Sequence, residues 1–128
     1  MKHMLSKTAL ALAAVLLSLT ALAAARTVTI FNNVSAASGS YTDAQGNAAE
    51  RTAGAAYVRM QVCGTGFSGT VTAKQGALST TLSDVKVLTL TGVTGCAPAN
   101  YVKLNSALWT GFAYTRTAGS VTVYLELQ

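Results

Sequence analysis

The sequence predicts an all-β protein: a small antiparallel β-sandwich, jelly-roll or immunoglobulin-like, of about seven strands with one disulfide. Apolar and polar residues alternate through most of the chain after residue 25, and this period of two is typical of half-buried strands. Clusters of Gly, Ser, Thr and Asn separate the alternating segments at the spacing of sandwich strands. Cys63 and Cys96 are the two cysteines, and an even pair in an exported chain indicates a disulfide.

The first 25 residues have the pattern of a signal peptide. Lys2 and Lys7 precede an apolar run, 8–25, that is rich in Ala and Leu and ends in small residues. Cleavage after Ala23 or after Ala25 satisfies the small-x-small rule, and we favour Ala25. We therefore expect a bacterial signal peptide at 1–25 and a single domain at 26–128. The domain is expected to be periplasmic, cell-surface or extracellular, with no membrane span after cleavage.

Two segments carry the clearest alternation. In AAYVRMQV (55–62) the outward residues are Tyr57, Arg59 and Gln61, and in SVTVYLELQ (120–128) they are Thr122, Tyr124 and Glu126. Shorter strands are predicted at 27–31, 69–74, 77–82, 85–91 and 101–108. The glycine-containing stretches between them, GTGFSG (64–69) among them, are predicted to be turns.

Two parts of the chain, 57–73 and 101–125, are similar to each other. Each begins Tyr-Val-basic-apolar, passes through Gly-Phe and ends Gly-Thr/Ser-Val-Thr. The pattern predicts two related hairpins that pack face to face, with Phe67 and Phe112 buried at matching places.

The segments YVRM…GTVTA and YVKL…GSVTV resemble strand-turn-strand segments of small β-sandwich modules in phage virion proteins and exported bacterial surface proteins. The resemblance covers roughly half of the mature chain. It implies a structural or adhesive role and brings no catalytic residue with it. Because virion proteins carry no signal peptide, the predicted one favours a role outside the cell.

The stretch GTGFSG also matches the G-x-G-x-x-G fingerprint of dinucleotide-binding proteins. In that fold the glycines open a helix whose N-terminus meets the pyrophosphate. Here Gly69 leads into Thr70-Val71-Thr72, which is β-forming sequence. We therefore interpret the glycines as residues that take positive φ, and we predict no cofactor.

The sequence predicts no catalytic site. The one histidine, His3, lies in the predicted signal peptide, which argues against His-based catalysis and His-ligated zinc in the mature protein. A carboxylate pair is still conceivable in principle, although so few acids are more simply surface residues. The acidic residues are Asp43, Glu50, Asp84 and Glu126.

Asp43, Asn47 and Glu50 surround Gly46 and are candidates for a calcium site. An EF-hand loop would need a longer run with more carboxylates, so a turn is the favoured interpretation and no metal is predicted.

Charge and aromatic residues indicate the partners. The seven basic residues after residue 25 are scattered singly, which argues against a nucleic-acid partner. The C-terminal part is rich in aromatic residues, and Trp109, Tyr114 and Tyr101 are the candidates for binding a carbohydrate or a protein at the cell surface. An alternative is a fibre subunit that self-associates by edge-strand exchange, through TVTIF (27–31) and SVTVYLEL (120–127).

Overall fold

The computed structural model describes residues 25–128, so residues 1–24 of the predicted signal peptide lie outside the described part of the chain. Within it, seven strands form one antiparallel sheet. The strands are β1 (Arg26–Val34), β2 (Ser38–Ser40), β3 (Glu50–Arg51), β4 (Val58–Leu78), β5 (Thr81–Gly95), β6 (Tyr101–Leu104) and β7 (Trp109–Leu127), with a short 3-10 turn at Pro98–Asn100. The all-β class and the seven strands are confirmed. No helix of residues 25–128 is long and apolar enough to cross a membrane.

The two long strands β4 and β7 organise the sheet. They pair antiparallel along nearly their whole length, from Val58 opposite Leu127 to Gly76 opposite Trp109. β1 and β6 flank the part that contains the start of β4 and the end of β7, which we call the terminal half. β2, β3 and β5 flank the other part, which we call the hairpin half.

Glycines allow both long strands to bend where the halves meet. The β4–β7 register shifts between Thr65 and Gly69. Gly66 and Gly119 have φ angles of 62° and 69°, in the left-handed region that favours glycine. The prediction of positive φ is confirmed for Gly66 and for Gly69 (153°) but not for Gly64, and the prediction that GTGFSG is a turn between two strands is wrong. The chain continues through this stretch as one irregular strand.

The two halves face each other across one core. Phe31 of the terminal half packs edge-on against Tyr114 of the hairpin half, with ring centroids 4.9 Å apart and planes at 73°. Phe67 and Phe112 are buried, as predicted. Burial of these apolar faces is the main force that holds the bent sheet closed. The largest fully buried apolar side chains are Phe67, Met60, Leu125, Val58, Val62, Val71, Val121 and Val123.

Several predicted strand boundaries are corrected by the pairing. The segments 57–73 and 101–125 do not form two hairpins, because β4 and β7 are each continuous. The predicted strand 77–82 contains the turn that joins β4 to β5, and the strand predicted at 101–108 ends at Leu104. The repeated Tyr-Val-basic-apolar tetrapeptides instead lie side by side, because β4 pairs antiparallel with β6.

A disulfide joins Cys63 in β4 to Cys96, just after β5, with the two Cα atoms 4.3 Å apart. The predicted pairing is confirmed. The bond anchors the far end of β5, an edge strand, to the central strand β4.

Buried polar side chains hold the connection between β6 and β7. The Thr52 hydroxyl donates to the Ala107 carbonyl (2.8 Å) and lies 3.0 Å from the Thr110 hydroxyl. The Gln75 amide donates to the Asn105 carbonyl (2.6 Å) and to the Thr110 hydroxyl (3.1 Å). These bonds give the Asn105 and Ala107 carbonyls hydrogen-bond partners that a loop packed on the core would otherwise lack.

Candidate binding face

The outer surface of the terminal half carries two rows of polar and aromatic side chains. Residues on one face of neighbouring strands lie directly opposite each other, so the register fixes the rows. One row contains Lys103, Arg59 and Glu126. The next contains Tyr101, Gln61 and Tyr124. The outward positions of Tyr57, Arg59, Gln61, Tyr124 and Glu126 follow the alternation that the sequence predicts.

Four of these residues form a contact cluster that we call the tyrosine–cation face: Tyr57, Arg59, Tyr101 and Lys103. The guanidinium carbon of Arg59 lies 5.7 Å from the ring centroid of Tyr57 and 5.4 Å from that of Tyr101. The ammonium nitrogen of Lys103 lies 5.2 Å from the ring centroid of Tyr57. These distances fall within the range of cation–π attraction.

Hydrogen bonds fix the orientation of the Tyr101 ring. Arg59 donates to the Tyr101 hydroxyl at 3.4 Å, and that hydroxyl donates to the Glu126 carboxylate at 2.6 Å. The hydrogen bond with Tyr101, followed by the charge interactions with Tyr101 and Glu126, raises the pKa of the Arg59 guanidinium. Arg59 therefore remains a fixed cation beside two aromatic rings.

The tyrosine–cation face is accessible and places two cations together. Tyr57 is 45% exposed, Lys103 is exposed, and Arg59 and Tyr101 are half-buried. Arg59 and Lys103 are direct cross-strand partners. The ion pairs of residues 25–128 are Arg26–Glu50 and Lys74–Asp84, so neither cation of the face takes part in one.

The structure separates the three aromatic residues predicted to bind a ligand. Tyr101 belongs to the tyrosine–cation face. Trp109 lies half-buried in the hairpin half, with the Arg51 guanidinium carbon 5.8 Å from its ring centroid. Tyr114 is only 5% exposed and packs in the core, so it presents no ring face at the surface. Tyr114 is therefore not a surface aromatic residue.

The loop that carries Asp43, Asn47 and Glu50 uses its carboxylates internally. Asp43 accepts bonds from the backbone N–H groups of Gln45 (2.9 Å) and Asn47 (2.8 Å) and from the Asn47 amide (3.1 Å). The Asn47 amide is the largest cause of the lowered pKa of Asp43. These bonds form an Asx-type turn, which agrees with the favoured interpretation of this stretch.

Glu50 is directed to other partners. It accepts bonds from Arg26 (3.1 Å) and from the Tyr41 hydroxyl (2.8 Å). Burial first, and then the bond to Glu50, raises the pKa of Tyr41. The described chain contains no group of three or more His, Cys, Asp or Glu residues placed to hold a metal ion.

Three surface clefts contain few titratable side chains. A cleft of about 260 Å³ between the loop at Ser40–Tyr41 and the β4–β5 turn has Tyr41 and Lys74 as its titratable groups. A second, of about 300 Å³, is lined by small and apolar residues around Gly54 and Leu108. A third, of about 530 Å³, is lined mainly by threonines near the bend. The first cleft also contains Ser40, Ser79 and Thr80, and its Lys74 forms an ion pair with Asp84.

Comparison with known proteins bears on the fold. No protein-family model matches the chain, and no curated protein matches it. Among solved structures, the chain is similar to SPBc2 prophage-derived protein YomS, with a TM-score of 0.55 over 81% of this chain and 92% of that one. The fold resembles that of a prophage-derived protein. At 10% sequence identity the likeness concerns the fold alone, and it agrees with the resemblance to phage β-modules that the sequence suggests.

Sequence reasoning missed most of the tyrosine–cation face. It identifies Tyr101 alone, because Tyr57 and Arg59 are predicted only to point outward and Lys103 counts only among the basic residues scattered singly along the chain. The repeated tetrapeptides YVRM and YVKL were the available signal. Had they been treated as paired strands, Arg59 and Lys103 would have been placed opposite each other.

Proposed function

We propose that the protein is an exported, non-catalytic β-module that acts by contact, as a structural or adhesive component at the cell surface or in the extracellular space. The observation that carries this proposal is the placement of exposed aromatic and cationic side chains together on the outer face of the terminal half. Exposed aromatic clusters recognise other surfaces, whereas catalytic groups converge in a concave site. The disulfide supports an oxidising compartment.

Fractionation of the producing cells tests the proposal. We expect the protein in the periplasm, at the cell surface or in the medium. Its mass should be that of a chain that starts at Arg26, with Cys63 and Cys96 oxidised to a disulfide. We also expect the purified protein to be retained by envelope fractions of the host. A full-length, reduced protein in the cytoplasm would overturn the proposal, as would hydrolytic activity that is lost in Glu50→Ala or Asp84→Ala.

Self-association is a second candidate function, favoured by one observation. β5 extends over 15 residues at the edge of the sheet and pairs with β4 on one side. Val87 is 52% exposed on this strand. A long edge strand is a template for pairing with another chain. The segment 120–127 is paired on both sides, by β1 and β4, whereas TVTIF (27–31) lies in β1 at the other edge of the sheet. Exchange through these strands requires β1 to leave β7, and it stays a prediction.

Light scattering of the purified protein, with and without reductant, tests self-association. If β5 mediates it, we expect dimers or larger assemblies that Val87→Lys disrupts, because an edge lysine opposes strand pairing. Thr29→Lys, on the other edge strand β1, tests whether self-association uses that edge instead. A monomer at all concentrations would eliminate this candidate and leave the adhesive role in place.

A further inference from the structure

We infer that the tyrosine–cation face binds an acidic carbohydrate, that is, a sugar polymer with carboxylate or phosphate groups. This inference rests on the proposed contact function and identifies the class of partner. The face combines two elements that such a ligand needs, which are aromatic rings against which sugar rings stack and cations that pair with their acidic groups.

The pairing of two cations is the first argument. Arg59 and Lys103 lie directly opposite each other on adjacent strands, and like charges in such positions destabilise a sheet. Glu126, the partner of Arg59 on the other side, accepts the Tyr101 hydroxyl and favours the Arg59 cation by its charge, but it makes no direct ion pair with Arg59. Glu126 lies one strand farther from Lys103, so the face keeps a net positive charge. A protein keeps an unfavourable local arrangement of this kind most often where function requires it. An anionic ligand placed between the two cations would remove the repulsion.

The fixed geometry of the rings is the second argument. Arg59 lies within cation–π distance of both tyrosines, and Glu126 holds the Tyr101 hydroxyl. The site therefore loses little side-chain freedom when it binds, which favours affinity. Tyr57 is 45% exposed and offers ring area to a sugar.

The small number of cations favours a glycan over a nucleic acid. Strong nucleic-acid binding depends on many phosphate contacts made by clustered Lys and Arg. The face has two cations, and the nearest further basic residue by register is Arg26, which is engaged with Glu50 and with the Arg51 carbonyl. Two cations are fewer than the clustered Lys and Arg on which strong nucleic-acid binding depends, and the two tyrosine rings beside them can stack against sugar rings.

The test compares four probes by calorimetry with the purified, oxidised protein: polygalacturonate, glycerol-phosphate teichoic acid, neutral dextran and poly-dT. We expect binding to one or both acidic glycans, and which of them binds will distinguish carboxylate from phosphate recognition. Tighter binding of poly-dT, or equal binding of dextran, would overturn the inference.

Variants localise the binding. Lys103→Gln is expected to weaken binding of the acidic glycan about tenfold, because a charge-assisted hydrogen bond is lost. Lys86→Gln removes one exposed cation from the hairpin half and is the matched control. Tyr57→Ala is expected to weaken binding, while Trp109→Ala leaves it unchanged. Equal losses of affinity in Lys103→Gln and Lys86→Gln, or in Tyr57→Ala and Trp109→Ala, would overturn the inference.

Two further measurements separate the possible failures. The urea midpoint of Lys103→Gln should change little, because the relieved like-charge contact with Arg59 and the lost cation–π contact with Tyr57 oppose each other. A large fall in the midpoint would assign Lys103 to the fold and overturn the inference. If envelope fractions retain the protein but Lys103→Gln and Tyr57→Ala are retained equally, the inference fails while the contact function stands. If the parent protein itself is not retained, the proposed function fails.

Discussion

Replacement of Gly119 by alanine tests whether close approach of β4 and β7 creates the bend of the sheet. Gly119 has a φ of 69°, and a Cβ atom there would overlap the backbone carbonyl of Gly66 and the carbonyl oxygen of Thr65. The left-handed conformation costs an alanine about 1–2 kcal/mol. Overpacking against the backbone adds about 1–3 kcal/mol, so Gly119→Ala should lose about 2–5 kcal/mol of the free energy of unfolding.

Gly46→Ala is the matched control for this prediction. Gly46 has a φ of 84°, but a Cβ there would meet nothing within 4 Å. This variant carries the conformational cost alone, about 1–2 kcal/mol. Urea unfolding of both variants and the parent, at equal m-values, measures the difference. Equal losses for the two variants would refute the argument that backbone contact at Gly119 shapes the bend.

Three further predictions concern the disulfide, the buried polar network and the Asp43 turn. Reduction of Cys63–Cys96, which are separated by 33 positions, should lower the free energy of unfolding by about 4 kcal/mol in the chain-entropy model. Urea curves with and without reductant measure this loss, and unchanged curves would contradict it. Thr110→Val should lose about 1–3 kcal/mol in the same assay because Thr52 and Gln75 lose a buried partner. Thr115→Val, which removes an exposed bond to Thr70, should lose less, and an equal loss would count against the network. The folded-state pKa of Asp43 is lowered, so ionised Asp43 stabilises the folded protein. This contribution to the free energy of unfolding is complete above about pH 4 and is lost as the pH falls through the folded pKa. Below that pH the urea midpoint of the parent should therefore fall more steeply than that of Asp43→Ala. Parallel plots of midpoint against pH for the two proteins would show that Asp43 does not stabilise the fold.

Local patterns predict which face of a strand is buried better than they predict how strands connect. Alternation placed Ala56, Val58, Met60 and Val62 on one buried face, and the last three are fully buried, whereas Ala56, which precedes β4, is exposed. The same alternation predicts that Tyr114 is buried, because alternate residues of β7 face the same side and Thr110 and Phe112 are buried there. The sequence prediction instead treated Gly111-Phe112 as a turn and left Tyr114 at the surface.

Glycine at positive φ explains the main error in connectivity. A residue such as Gly66 suits a tight turn and a bulge within a strand equally well, because both use the left-handed region. The choice depends on whether a long-range partner continues past the glycine. Here Ser68 and Gly69 find Ala118 and Arg116 on β7, and the strand continues. That partner lies far along the sequence, so no local pattern indicates it.

The candidate site shows the same limit. Each tyrosine or cation of the tyrosine–cation face is an ordinary exposed residue when it is considered singly. The register between β4 and β6 makes them neighbours, and it depends on burying Val58, Met60 and Leu104 on the opposite side of the sheet. The chemistry of the face is thus a consequence of core packing.

The pairing of β1 with β7 has a mechanical consequence. Arg26 lies opposite Leu127, so the start of the first strand and the end of the last strand leave the molecule side by side. A pull applied between these two points would open the ladder one hydrogen bond at a time, like a zipper, and would not shear many bonds at once. The tyrosine–cation face lies on the same half, where Leu127 also pairs with Val58 of β4. Force between a surface bound there and a tether at Arg26 would pass through β4, β7 and β1, and opening of β1 would also withdraw Phe31 from Tyr114 of the hairpin half. Contact through this module would therefore yield stepwise under tension.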